Sequence, residues 1–270
     1  MKNKELKIGL ALGSGGFRGF AHIGVLKVLE ENGIKISYLS GSSIGGLMAA
    51  YYAVFNDVKK IEQEIKTWPM DSLYKFIDLS WTGGIITGDK FGIFLNKSFG
   101  DLNFSKTKIP LKIVTTNLID GQATVLSSGK LTDAIRATIS IPLMFRPRKL
   151  GTKLLVDGAL SSPVPINIVK EMGADIFIGV NLYHKNEFVA RKFTMPQIAL
   201  RSTRIALYNL AKIDMRQAHV AIRPNTSSII INKSLKKYSF KTVKQLIKIG
   251  EDSARQALPE IKALLNQKIK

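Results

Sequence analysis

The amino-acid sequence predicts an α/β fold, a three-layer α/β/α sandwich around a mostly parallel sheet. Three observations carry that expectation. Short apolar runs, stopped by glycine or by Asp-Gly, alternate along the chain with segments of helical period. Residues 6–40 already read as one βαβ unit, which implies parallel strands and a right-handed crossover. No internal repeat or low-complexity linker interrupts the 270 residues, so 1–270 is read as a single domain with a basic C-terminal portion at about 185–270.

Taken in order, Leu6–Leu12 is a short buried strand that runs into the glycine-rich Gly13–Gly19. Ala21 to Glu31 is an amphipathic helix closed by Asn32-Gly33. The strand at 36–40 leads through Gly41-Ser42-Ser43-Ile44-Gly45 into a helix at 46–55, and a second helix spans Asp57 to about Lys66. Residues 68–104 carry eight of the chain's 22 aromatics, read either as satellite core or as an apolar wall facing an acyl chain. Leu111–Thr116 and Gly121–Leu126 form a hairpin, and 131–138 is a helix ending before Ile141-Pro142. Strands at 153–156 and 175–181 flank a helix from Pro165 to Met172. Helices follow at about 197–217 and 241–267, the second interrupted by Pro259, with a short strand at Val220–Pro224 between them.

Composition narrows the chemistry. With no cysteine, disulfides and thiolate metal sites are excluded, and three scattered histidines make no ligand cluster, so no metal and no cofactor are expected. The basic N-terminus precedes only five apolar residues, which suits a first strand better than a signal peptide, and no run approaches the ~20 residues of a membrane span. A cytoplasmic protein is the expectation, with peripheral attachment at the inner membrane surface left open. The net charge is +20, and residues 185–270 hold 18 Lys and Arg against 5 Asp and Glu. Such a tail suits nucleic acid, an anionic membrane, or a solvated lysine-rich surface. No nucleic-acid module is recognisable there, and its aromatics show no stacking pattern, so nucleic acid is not expected as a partner.

Three motifs carry chemistry. Gly41-x-Ser43-x-Gly45 follows an apolar strand and enters a helix, so the turn lifts the Ser43 hydroxyl off the sheet end and points helix amides at developing negative charge. The loop at 13–19 fits neither frame of a dinucleotide fingerprint, because Arg18 stands at the sixth position of one and Ser14 at the first of the other. It is instead a side-chain-poor turn whose successive N–H groups, backed by Arg18, suit an oxyanion hole. Asp157-Gly158 closes a strand. In a parallel sheet Leu12, Ser40 and Val156 would all end at one edge, which brings the loop, Ser43 and Asp157 together as oxyanion donors, nucleophile and base.

In these motifs the chain resembles the bacterial patatin-like phospholipases. Gly15-Gly16-Phe17-Arg18-Gly19, Gly41-Ser42-Ser43-Ile44-Gly45 and Asp157-Gly158-Ala159 occur in that family's order. The likeness extends to residues 21–26, Ser140-Ile141-Pro142, Pro163-Val164-Pro165 and 250–259. Ser14 replaces the first of three glycines usual in the family. The resemblance implies a lipid acyl hydrolase with a Ser43–Asp157 dyad and no histidine, an oxyanion hole at Gly15 and Gly16, and supporting roles for Arg18, Gly19, Gly41, Gly45 and Gly158. A phospholipid or other lipid ester is the implied substrate, an anionic membrane surface the implied partner, and a homo-oligomer stays open. Two rivals remain: a Ser43–Asp157–His184 or His219 triad of the α/β-hydrolase kind, and a non-catalytic scaffold that binds lipid or protein. His22 is read as structural.

Overall fold

The computed structural model describes residues 6–68, 89–142, 144–185, 193–230 and 239–267. In chain order the elements are β1 (Ile8–Leu12), a 3₁₀ turn (Gly16–Phe20), α1 (Ala21–Glu31), β2 (Ile36–Ser42), α2 (Ile44–Phe55), α3 (Val58–Lys66), α4 (Asp89–Phe99), β3 (Leu111–Asn117), β4 (Ala123–Leu126), α5 (Leu131–Thr138), β5 (Arg148–Leu150), β6 (Lys153–Asp157), α6 (Ile166–Glu171), β7 (Ile176–Val180), α7 (Met195–Asp214), β8 (Val220–Ile222), α8 (Ser227–Ile230) and α9 (Phe240–Gln267). They form one eight-stranded sheet in which β3-β2-β1-β7-β8 run parallel, the mostly parallel α/β architecture expected.

Alternation along the strands divides the core between two faces. Leu10 and Leu12 join the larger cluster with α1, α2, α3 and α9, whereas Ala11 packs with Ile166 and Val169 of α6 and with Ala211 of α7. This is what a sheet covered on both sides requires, and it explains why its strands read as continuous apolar runs. Of the aromatic stretch, Phe99 and Phe104 are buried, and Trp68 packs edge-on against Phe20 and Phe94 at 5.7 and 5.0 Å. The core reading holds for these; Tyr74, Phe76 and Trp81 lie outside the described residues.

Three expectations are corrected. The strand carrying Asp157 is antiparallel: β6 pairs with β3 in opposite sense, and β5 with β6. Asp157 therefore does not reach the site by the parallel-edge rule. Thr115 and Thr116 of β3 pair with both β4 and β6, so those two strands lie on opposite edges of β3; Ile113 and Val114 pair with both β4 and β2. Hence β2 and β6 share one edge of β3, end to end, with Ser42 opposite Val114 and Asp157 opposite the next residue, Thr115. Secondly, α9 continues through Pro259. Pro259 and Arg255, whose carbonyl loses its N–H partner, are both exposed residues. Thirdly, α7 begins at Met195, where Thr194 and Gln197 close a capping box just ahead of the expected start.

Helix α1 crosses α9 at unusually short range. A Cβ on Gly24 would lie 1.9 Å from the Ile247 carbonyl oxygen, and one on Gly250 would lie 1.9 Å from that of Ala21. Two facing glycines let the backbones touch, and neither contact can yield, because the obstacle is main chain. Gly250→Val is expected to lower stability by about 3 kcal/mol in urea unfolding; an unchanged midpoint would contradict this packing.

Candidate active site

Ser43 stands between β2 and α2 with φ 55° and ψ −129°, a conformation that non-glycine residues adopt only when their surroundings force it. The flanking glycines show the forcing. A Cβ on Gly41 would lie 2.4 Å from the Gly45 carbonyl oxygen, and one on Gly45 would lie 2.0 Å from that of Leu12. The strand end, the turn and the start of α2 are thus pressed together so closely that only glycine fits on either side of the serine. The Ser43 amide donates to Thr138 Oγ1 at 2.8 Å, and Thr138 in turn donates to the Val114 carbonyl. This last residue of α5 fixes the backbone of the turn, and nothing in its sequence context marked it.

The Ser43 hydroxyl donates to Asp157 Oδ2 at 2.7 Å, both residues being buried. The other carboxylate oxygen, Oδ1, accepts from the Ala159 amide at 2.9 Å. The Asp157 backbone is held as well: its amide donates to the Ser140 carbonyl at 3.0 Å, and its carbonyl accepts from Thr116 Oγ1 at 2.9 Å. Gly158 is required by close approach, since a Cβ there would lie 2.1 Å from the Val114 carbonyl oxygen. Burial pushes the Asp157 carboxyl up to about 6; the Ser43 and Ala159 hydrogen bonds oppose that shift without cancelling it.

The glycine loop lies across the start of α2. A Cβ on Gly19 would meet Ile44 Cγ1 at 2.1 Å, which places the Arg18-Gly19 step against the residue after Ser43. Arg18 ties the loop to the segment after β7: Nε donates to Gly15 O at 3.0 Å and Nη1 to Leu182 O at 2.9 Å, with the guanidinium 5.1 Å from the Tyr183 ring. Gly16 takes φ 58° with open space beside it. The Ser14 amide is engaged by the Pro163 carbonyl and its hydroxyl bonds Tyr183, whereas among the described residues the amides of Gly15 and Gly16 have no acceptor. The Ser14 amide is thus already engaged within the fold.

Each histidine bonds a backbone group. His22 Nε2 donates to Gly13 O at 2.7 Å, and burial pushes its pKa down to about 4, so it is a neutral prop for the loop. His184 Nε2 bonds the Pro224 carbonyl at 2.6 Å. His219 Nδ1 accepts from the Phe177 amide at 3.0 Å near the start of β7, the sheet end opposite Ser43. Sequence reasoning missed a second, half-buried carboxylate: Asp214 accepts from Ser162 Oγ at 3.2 Å and the Val164 amide at 2.9 Å, and the Ser162 carbonyl accepts from Ser42 Oγ at 2.5 Å. A last-turn aspartate on an exposed helix carries no signal of this in sequence. Arg136, also missed, reaches Ser140 Oγ at 2.9 Å and so supports the residue whose carbonyl holds Asp157.

The family model for patatin-like phospholipases matches residues 10–170, from β1 to α6, and the chain belongs to that family. An uncharacterised NTE family protein of Mycobacterium tuberculosis is 32% identical over 177 residues, covering 65% of this chain and 49% of that protein. Lysophospholipase nte1 of Aspergillus fumigatus is 33% identical over 179 residues, 65% of this chain and 12% of that one. The chain thus spans about half or less of the curated relatives it matches. Among solved structures, VipD from Legionella pneumophila superposes with a TM-score of 0.61 at 15% identity, covering 94% of this chain and 67% of that one, a likeness of fold.

The raised carboxyl pKa has a consequence for stability. Because the folded state holds the Asp157 proton more tightly than the unfolded chain, this contribution is complete below the ordinary 3.8 and is lost as pH rises through about 6. Replacing the buried charge should therefore help at neutral pH. Asp157→Asn is expected to gain about 2 kcal/mol at neutral pH, with the gain closing toward about pH 4; denaturant unfolding at both values checks this, and a variant that is less stable at neutral pH would contradict it.

Proposed function

We propose that this chain is a lipid acyl hydrolase that cleaves carboxylic esters with Ser43 as nucleophile and Asp157 as its base. The observation that carries the reading is the 2.7 Å hydrogen bond from the Ser43 hydroxyl to the buried Asp157 carboxylate, whose other hydrogen bond among the described residues comes from the Ala159 amide. Ser43 Oγ attacks the ester carbonyl while its proton passes to Asp157 Oδ2. The amides of Gly15 and Gly16 receive the oxyanion, with Arg18 holding the carbonyl side of the Gly15–Gly16 peptide. Collapse of the tetrahedral species returns the proton to the departing alcohol. Asp157 then draws a proton from water, which releases the acyl group and restores the serine.

A carboxylate at the ordinary 3.8 is a weak base, and the shift to about 6 moves Asp157 toward the range where proton transfer at neutral pH is effective. The family supports lipid as the substrate class, and a relative named as a lysophospholipase favours phospholipid or lysophospholipid esters among lipids. The net +13 of residues 185–270 suits an anionic lipid surface, which such an enzyme has to meet. In this reading the protein works at the membrane periphery, and no helix among the described residues is long and apolar enough to cross a membrane.

Hydrolysis of a soluble p-nitrophenyl ester should fall about 10³-fold or more in Ser43→Ala and in Asp157→Asn, and a fluorophosphonate should label Ser43 in the native chain, as mass spectrometry would show. His184→Ala and His219→Ala should retain activity within about threefold. A histidine variant as impaired as Ser43→Ala would replace the dyad with a triad, and absence of both turnover and labelling would favour the non-catalytic scaffold.

A further inference from the structure

The core holds α7 by its C-terminal end. Ala211 is buried, Leu207 and Tyr208 pack partly against the same cluster, and Met215 seals the following turn. At 1.5 Å per residue, Met195 lies about 24 Å along the axis from Ala211. Over that length Met195, Ile198, Ile205 and Ile213 are 83%, 45%, 42% and 55% exposed. With Ser202 and Asn209 they recur every three or four residues, so they form one strip on the face opposite Leu207 and Ala211. An apolar strip along a solvent-facing helix marks an interaction surface rather than scattered exposure.

The charge beside the strip selects its partner. Arg201, Arg204 and Lys212 are the charged residues between Met195 and Ile213, and there is no acid among them. The guanidinium of Arg201 lies 5.8 Å from the ring of Phe193, an exposed aromatic just ahead of the helix. The single carboxylate of α7, Asp214, is turned inward onto Ser162 and Val164. Two copies meeting along this strip would bring like charges together, whereas an anionic lipid interface takes both the apolar strip and the cations.

We infer that the exposed face of α7 is a docking surface for anionic lipid, with Met195, Ile198, Ile205 and Ile213 entering the acyl boundary and Arg201 and Lys212 meeting headgroup charge. The inference rests on the acyl-hydrolase reading and names the element that brings the enzyme to its substrate. That element is joined to the site: Asp214, at its last turn, holds Ser162, whose carbonyl holds the Ser42 hydroxyl beside the nucleophile.

The test uses the full chain with phosphatidylcholine vesicles that contain or lack about 30% phosphatidylglycerol, read by flotation without turnover. The native chain should float with the anionic vesicles, less so as salt rises, and weakly with the neutral ones. Ile198→Glu/Ile205→Glu and, separately, Arg201→Glu/Lys212→Glu should each weaken binding about tenfold or more while keeping the native unfolding midpoint. Native-like binding by both double variants would overturn the inference. So would a native dimer in analytical ultracentrifugation that Ile198→Glu/Ile205→Glu splits, because the strip would then be a self-interface. A chain that floats but turns over no ester would refute the hydrolase reading alone, and one that turns over ester but does not float would refute docking alone.

Discussion

Strands β2 and β6 meet end to end along one edge of β3, and the site depends on that meeting. Ser42 occupies one rung opposite Val114, and Asp157 occupies the next, opposite Thr115. Each strand arrives from its own side and stops there, β2 because Ser43 turns into α2, β6 because Gly158 bends away against the Val114 carbonyl. A purely parallel sheet has no such junction, since its strands lie side by side and end at one rim. The reversal of β6 is what sets a carboxylate beside the strand-end serine.

Around that junction, polar groups are satisfied by close neighbours instead of water. Thr138 fixes the Ser43 amide, Thr116 and Ser140 fix the Asp157 backbone, and Ser162 and Asp214 hold Ser42. The Asp157 carboxylate accepts two hydrogen bonds, but burial outweighs them and pushes the carboxyl up to about 6. Arg18, the nearest cation of the motifs, is directed to carbonyls of the glycine loop and of Leu182. Its guanidinium thus braces those two peptides.

The parts legible in sequence are those where a single residue type answers a backbone demand. Gly41, Gly45 and Gly158 stand where a Cβ would strike main chain, and glycine-rich spacing shows in one dimension. The parallel strands were legible from their apolar runs. Residues that matter through distant partners were not: Thr138 is an ordinary helix-end threonine until Val114 and Ser43 are brought to it, and Asp214 is one more polar residue on an exposed helix. The direction of β6 was also hidden, because Lys153–Asp157 has the same apolar texture whichever way it runs, and its edge partner β5 is only three residues long. Asp157 was thus found by its motif while the route that brings it to Ser43 was misread.

The central claim is that the Asp157 carboxylate takes the Ser43 proton from within a buried site. Its most direct measure is kcat/KM for a soluble ester from about pH 4 to about pH 9, in the native chain and in His184→Ala. A single rising limb with an apparent pKa near 6, kept in the variant, is the predicted result. A limb that disappears with His184, or activity already complete near the ordinary carboxyl value of 3.8, would contradict it.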